Sequence, residues 1–291
     1  MADQSIPSDD QLPQKYTPNF TYFQGFWCPS QLVPNITAFQ NHFQALDDDI
    51  VLASKPKTGT TWLKALAFSI LNRHRFPLSN SPLASPNPHD LVPYFDMTLY
   101  NNGCHPDFAD VSSPRLFATH LPYHALAESI KNPKARIVYV TRNPLDAIGL
   151  APFWAHVLDY RKQSTANPNK VLFLKYEEMK GNPVGQIKKV AEFMGCPFSE
   201  EEEKAGAIDE IAEFCSLSNL KNLELNKSGS LKTMKRQTNS FLRKGEAVIL
   251  CQILWIACRA IETLVEDRKF REIYISHHML ICLSHHMLIC T

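Results

Sequence analysis

The chain has 291 residues and a formal net charge of +1 at neutral pH. This length is enough to bury the core of a single α/β domain, although two small domains would also fit. The near-zero charge provides no overall field that would favour nucleic acid or an anionic membrane as a partner. The eight cysteines form no C-x-x-C pair. Together with a polar N-terminus that lacks an apolar signal region, they predict free thiols in a reducing compartment, with the cytoplasm as the expected location.

The N-terminal part divides into a polar and an aromatic stretch. Residues 1–17 are polar and contain proline, which predicts a mobile N-terminus ahead of one domain over 18–274. An aromatic run, TYFQGFWCP, follows from Thr21 to Pro29. On chemistry alone, such aromatic residues are more often core anchors around a glycine than part of a binding site.

The stretch from Asp49 to Ile70, DIVLASKPKTGTTWLKALAFSI, predicts a strand, a tight loop and a helix. Its apolar start is typical of a strand buried on both faces, and from Thr60 onward apolar residues recur at helical spacing. A helix N-terminus offers unpaired N–H groups and a partial positive charge, which favours a phosphate ligand. Lys57 adds a full charge there and can stabilise the negative charge that builds on a leaving oxygen, which is a catalytic role. The full Walker signature is absent because Lys57 precedes the glycine, so an ordinary capped turn is the alternative.

The loop sequence KTGTTW resembles the 5′-phosphosulfate loop of the cytosolic sulfotransferases, which usually have serine in place of Thr58. The resemblance implies an α/β fold with a central parallel sheet flanked by helices, the P-loop NTPase-like sulfotransferase fold. It also implies 3′-phosphoadenosine 5′-phosphosulfate (PAPS) as sulfuryl donor and no metal. The runs Q-G-F-W at 24–27 and N-P-H-D at 87–90 are similar to plant members, in which such aromatic residues help line the acceptor pocket. The implied donor-binding residues of the loop are Lys57, Thr58, Gly59, Thr60, Thr61 and Trp62.

A candidate base lies further along the chain. Residues 76–115 are rich in Pro, Ser and Asn, which predicts long loops. The segment 115–123, RLFATHLPY, then predicts a strand that ends at His120. A lone histidine is more often a packed or surface residue, but open α/β sheets bind ligands at the carboxyl ends of their strands. The resemblance to the family motif T-H-[LIV]-P implies that His120 is the catalytic base. The ordinary pKa of histidine lies near neutrality, which suits it to accept the proton of an acceptor hydroxyl.

A second anion-binding group is expected after the next strand, Ala135–Val140. Arg142 is placed either to bind a phosphate with its guanidinium or to pair with Asp146. The resemblance implies the 3′-phosphate of the donor, aided in the family by a serine where this chain has Leu150. A block of a few helical turns that the family has after this arginine is missing near residue 150, so we expect an incomplete fold.

Three further elements follow. The segment Val171–Lys175 predicts a buried strand, and Tyr176 after it either closes the core or, by resemblance, contacts the adenine. The spacing predicts one helix over Pro183–Met194 and a second that starts at a capping box on Ser199 and continues through Phe214.

The C-terminal part departs from the family. A basic surface turn is the more common interpretation of Arg243, Lys244 and Gly245, but the resemblance implies that they are a second set of residues that bind the 3′-phosphate. Residues 247–258 replace the family sequence by an apolar block that is too short to span a bilayer. The tail, 275–291, repeats one octapeptide containing paired histidines and a cysteine. Such residues suit zinc or copper, but the tandem repeat is more typical of translated repeat DNA, and we expect a disordered tail without a metal site.

The combined motifs predict a sulfotransferase that moves a sulfuryl group from PAPS to a hydroxyl of a small acceptor of flavonoid, steroid, hydroxyjasmonate or desulfoglucosinolate type. Neither nucleic acid nor a membrane is expected as a partner. The alternative is an inactive or unstable relative that at most binds the nucleotide. A P-loop kinase is disfavoured because G-K-[ST] is missing.

Overall fold

The computed structural model describes residues 19–84, 87–132, 135–143 and 153–222. Several sequence predictions therefore lie outside the described residues. These concern residues 1–17, the missing block near residue 150, the basic turn 243–245, the apolar block 247–258 and the tail 275–291.

The described residues alternate strands and helices. The strands are β1 (Phe20–Phe23), β2 (Phe26–Pro29), β3 (Ile50–Ser54), β4 (Leu116–Thr119), β5 (Arg136–Thr141) and β6 (Val171–Lys175). The helices are α1 (Val33–His42), α2 (Thr60–Asn72), α3 (Pro88–Leu91), α4 (Glu128–Lys131), α5 (Phe153–Ala166), α6 (Tyr176–Gly181), α7 (Pro183–Met194), α8 (Glu200–Lys204), α9 (Ala207–Phe214) and α10 (Leu217–Asn222). Among the described helices none is long and apolar enough to cross a bilayer.

A parallel sheet with the strand order β4-β3-β5-β6 forms the centre. Ile50 of β3 lies opposite Leu116 on one side and Arg136 on the other. This confirms the predicted central parallel sheet. Because all four strands run the same way, their carboxyl ends share one edge, which is where such sheets bind ligands.

Helices cover both faces of this sheet. Ile50 and Leu52 point into a core shared with α2, α7 and α9, whereas Val51 and Ala53 point into a core shared with α1. Residues of a strand alternate between faces, so burial on both sides explains the unbroken apolar run of β3.

The aromatic run at the N-terminus forms a hairpin, β1–β2, in which Phe23 pairs with Phe26. Its turn residues, Gln24 and Gly25, have φ values of 49° and 83°. Two positive φ values are typical of the two-residue turns that match strand twist. The phenylalanines pack against the second core but stay partly exposed, so they are peripheral rather than central anchors.

Two local predictions need correction. The helix predicted from Ser199 through Phe214 is interrupted, because Gly206 adopts a φ of +80° between α8 and α9. Glycine enters this left-handed region at low cost and commonly ends helices. The capping box itself is confirmed, with the Ser199 amide donating to Glu202 Oε2 at 2.8 Å. The predicted loop 76–115 contains α3 and short turns of 3₁₀ and π helix.

Candidate active site

The loop between β3 and α2 has an unusual backbone. Lys57 has a φ of 69° and Gly59, which caps α2, has a φ of 112°. A Cβ atom on Gly59 would lie 2.8 Å from Cδ2 of the Tyr176 ring. The position therefore requires glycine for two independent reasons, the backbone angle and the close approach of an aromatic side chain.

Two of the threonine hydroxyls hold this loop on the sheet. Thr58 Oγ1 donates to the Lys55 carbonyl at 2.8 Å, and Thr60 Oγ1 lies 2.6 Å from Ser54 Oγ. Both threonines are buried. Their side chains therefore brace the loop, while the backbone N–H groups of the first turn of α2 have no partner within the helix and are the groups suited to an anion.

His120 directly follows β4 and lies against the start of the loop. Its Nδ1 is 2.7 Å from the Ser54 carbonyl oxygen. A carbonyl only accepts, so Nδ1 carries the proton and Nε2 keeps a lone pair. The backbone of His120 is fixed in turn by His156, whose Nε2 donates to its carbonyl at 3.1 Å while its Nδ1 accepts from the Tyr139 hydroxyl at 3.0 Å.

The predicted near-neutral pKa of His120 is wrong for this structure. Burial, reinforced by the positive charges of Lys64 and Lys55, lowers the pKa of His120 to about 3, although the bond to Ser54 opposes the shift. Removal from water disfavours the charged imidazolium. His120 is therefore a neutral imidazole at physiological pH, with its lone pair on Nε2.

Three residues predicted to bind the donor converge on the same edge of the sheet. Tyr176 follows β6, and its ring lies 5.3 Å from Trp62, measured between ring centroids. The guanidinium carbon of Arg142 lies 4.7 Å from the centroid of the Tyr176 ring. Since Gly59 of the loop also packs on this ring, the three side chains and the loop form one assembly.

Lys57 and His120 belong to the same neighbourhood. Burial lowers the pKa of His89 well below its usual value, and the positive charges of Lys64 and Lys57 and the neighbouring imidazole of His120 add to that shift. The cation of the loop and the candidate base thus lie within electrostatic reach of one imidazole.

Other predicted groups have no described position. Arg243, Lys244, Gly245 and Leu150, as well as Asp146, the alternative partner of Arg142, lie outside the described residues. Within the described ranges no group of three or more His, Cys, Asp or Glu side chains is arranged to hold a metal ion.

Sequence reasoning missed the residues that contact or surround His120 and the loop. The missed residues are Ser54, Lys64, His156 and Tyr94, whose ring centroid lies 4.8 Å from that of His120. Only Lys64 could have been recognised from the sequence, because it is a lone cation within the apolar part of α2. The other three have no local pattern that separates them from ordinary strand, loop and helix residues.

Comparisons with known proteins identify the family. The sequence model described as sulfotransferase domain matches residues 47–149 and 148–248. Cytosolic sulfotransferase 14 of Arabidopsis thaliana is 45% identical over 287 residues, covering 84% of this chain and 82% of the relative. Cytosolic sulfotransferase 15 of the same plant is 45% identical over 277 residues, covering 81% and 77%. The chain belongs to the sulfotransferase family.

Solved structures agree on the fold. A crystal structure of an Arabidopsis thaliana sulphotransferase matches with a TM-score of 0.62 at 39% identity, covering 73% of this chain and 84% of that one. A mouse sulfotransferase solved with PAP matches with a TM-score of 0.56 at 22% identity, covering 92% and 98%. The predicted α/β sulfotransferase fold is therefore confirmed.

Proposed function

We propose that this chain transfers a sulfuryl group from PAPS to a hydroxyl of a small-molecule acceptor in the cytoplasm. The observation that carries the proposal is the 2.7 Å contact between His120 Nδ1 and the carbonyl of Ser54. Ser54 ends β3 directly before the phosphate loop. The candidate base, at the end of β4, thus contacts the end of β3 from which the candidate donor loop begins.

The donor would bind along the assembly of loop and aromatic rings. Lys57 and the N–H groups at the start of α2 would bind the 5′-phosphosulfate. Trp62 and Tyr176 would flank the adenine, since aromatic faces stack on bases. Arg142 would bind the 3′-phosphate together with Arg243, Lys244 and Gly245. In support, the matching mouse structure is described as a complex with PAP.

Transfer would need no covalent intermediate on the protein. The acceptor oxygen forms a bond to sulfur while the bond between sulfur and the bridging phosphate oxygen breaks. The proton of the acceptor hydroxyl passes to Nε2 of His120, and the ammonium group of Lys57 stabilises the negative charge that develops on the leaving oxygen. The low pKa of His120 makes it a weak base alone, but an anionic donor beside it stabilises the imidazolium and raises that pKa.

The alternative function is nucleotide binding without turnover. The family model matches as two segments that meet at residues 148–149, at the place where the sequence predicts a missing block. By the family resemblance, Leu150 takes the place of a serine that aids the 3′-phosphate. Both observations favour a weakened donor site.

Calorimetry with adenosine 3′,5′-bisphosphate, alongside turnover of ³⁵S-labelled PAPS with a panel of flavonoid, steroid, hydroxyjasmonate and desulfoglucosinolate acceptors, tests both functions. We expect binding and turnover with at least one acceptor class. The variant His120→Asn keeps a donor near the Nδ1 position but has no basic nitrogen. It should bind the nucleotide within about threefold of wild type and lose about 10²–10⁴-fold in turnover. Binding without turnover would support the alternative, and no binding would overturn both.

A further inference from the structure

A lysine on α2 lies wholly inside the protein. Lys64 is fully buried, and its Nζ has three neighbours: it donates to the Val92 carbonyl at 2.7 Å, lies 3.2 Å from His89 Nδ1, and lies 3.3 Å from the centroid of the Tyr94 ring. An ammonium group has three protons and no lone pair. The carbonyl, the imidazole nitrogen and the aromatic face supply one acceptor for each proton.

This arrangement determines where His89 carries its own proton. Burial lowers the pKa of Lys64, but the charges of Asp96 and Asp90 oppose that shift, and the three acceptors around Nζ suit an ammonium. As an ammonium Lys64 can only donate, so Nδ1 of His89 accepts, and a neutral imidazole then has its proton on Nε2. Nε2 lies 3.0 Å from Thr61 Oγ1. The His89 backbone amide donates to Asn87 Oδ1 at 3.0 Å, and its ring stacks on Tyr94 at 5.6 Å between centroids, so the ring has a fixed orientation.

The consequence falls on the hydroxyl of Thr61 in the first turn of α2. If its oxygen accepts the proton of His89 Nε2, its own O–H proton is left for a ligand. With the opposite tautomer the hydroxyl would donate to His89 and turn only lone pairs towards an anion, which is unfavourable. The chain of contacts therefore decides whether Thr61 attracts or repels a negative group.

We propose that Lys64 and His89 are positioning residues that hold Thr61 as a hydrogen-bond donor to the anionic group of the donor substrate. The identity of that group as the 5′-phosphosulfate rests on the proposed function. The tautomer of His89 and the orientation of Thr61 do not rest on it, since both follow from contacts within the protein.

Packing alone does not account for a lysine at this place. Burying an ammonium costs far more than burying a methionine of similar length, and buried charges occur where they are paired or bonded. The charged groups that act on Lys64 are Asp96 and Asp90, which oppose the lowering of its pKa by burial. Asp96 is itself buried, which raises its pKa to about 6, so it is mostly ionised at neutral pH and balances the charge.

The first experiment reads the tautomer directly. Nitrogen-15 NMR of the full chain, labelled at histidine, should show His89 as a neutral imidazole protonated on Nε2 between pH 6 and 8. The His89→Gln variant assigns the signal by its loss. An imidazolium, or a ring protonated on Nδ1, would overturn the inference whether or not the protein binds nucleotide.

The second experiment uses a matched pair of variants. The amide nitrogen of His89→Gln can occupy the place of Nε2 and donate to Thr61, whereas that of His89→Asn lies near Nδ1 and cannot. We expect adenosine 3′,5′-bisphosphate to bind His89→Gln within about threefold of wild type and His89→Asn about tenfold more weakly, as for loss of one bond to a charged group. In a Thr61→Val background the two should bind equally, because the coupled partner is gone.

The outcomes separate the two proposals. Equal affinities of the Gln and Asn variants in the Thr61 protein, with melting temperatures like that of wild type, would overturn the positioning role and leave the proposed function intact. A wild-type protein that binds no nucleotide would overturn the proposed function, while the NMR spectrum would still decide the tautomer. If the Asn variant melts early, Lys64→Met replaces it, and we expect loss of the uniform Nε2 tautomer in its spectrum.

Discussion

Replacement of Gly59 by alanine would perturb the candidate site at its tightest point. The residue has a φ of 112°, and an added Cβ would lie 2.8 Å from Cδ2 and 3.5 Å from Cε2 of Tyr176. Both contacts are ring atoms, so the whole ring must move. That ring packs against Trp62 and beneath the guanidinium of Arg142, so the displacement would pass to both.

The magnitude follows from two separate costs. A non-glycine residue in a sparsely populated positive-φ region costs about 1–3 kcal/mol. Forcing an extra methyl group into a packed contact costs about 1–3 kcal/mol more. We expect the melting temperature of Gly59→Ala to fall by about 4 °C or more. The affinity for adenosine 3′,5′-bisphosphate should fall at least about tenfold, since about 1.4 kcal/mol corresponds to that factor.

Two other glycines provide matched controls. Gly206 has a φ of +80° but no atom within 4 Å of an added Cβ, so Gly206→Ala carries the backbone strain without the clash. It should lose about 1–2 kcal/mol of stability and keep wild-type affinity. Gly181 likewise has open space, so Gly181→Ala should change neither property appreciably. Calorimetry and thermal melts measure all three. Wild-type affinity in Gly59→Ala would refute the reasoning.

Two predictions concern pH. Nδ1 of His124 lies 3.2 Å from Asp159 Oδ2 and Nε2 lies 2.9 Å from the Gln24 carbonyl oxygen, and the bond to Asp159 is the main cause of the raised pKa of His124. The stability that the imidazolium contributes is present below pH 6.5 and is lost as pH rises through the raised pKa. The variant Asp159→Asn should therefore flatten the dependence of the melting temperature on pH between pH 6 and 9. The bond to Arg73 lowers the pKa of Glu202 from 4.5 to about 2. The stability that this ion pair contributes is lost as pH falls between those two values. The variant Arg73→Gln should remove that part of the acid unfolding curve, followed by circular dichroism, and an unchanged curve would contradict a stabilising role of the Arg73–Glu202 pair.

The elements that position the site could be predicted because their signals are local. The apolar run and helical spacing around the loop predict β3 and α2, and the strand found at Val171–Lys175 has the predicted bounds. The strand predicted at Ala135–Val140 is shifted by one residue, to Arg136–Thr141. Placing His120 and Arg142 at strand ends needed no contact information, only the parallel order of the strands. The break at Gly206 was missed because the glutamate run before it favours a helix.

The sequence by itself determined the class of fold, the family and the strand ends at which the candidate residues lie, because apolar periodicity and motif spacing are properties of neighbouring residues. The tertiary structure decided the protonation of the two histidines. His120 reaches Ser54 across 66 residues, and His89 meets Lys64 across 25. Their tautomers and low pKa values depend on burial and on charges brought near by folding, and no local pattern in the chain encodes those distances.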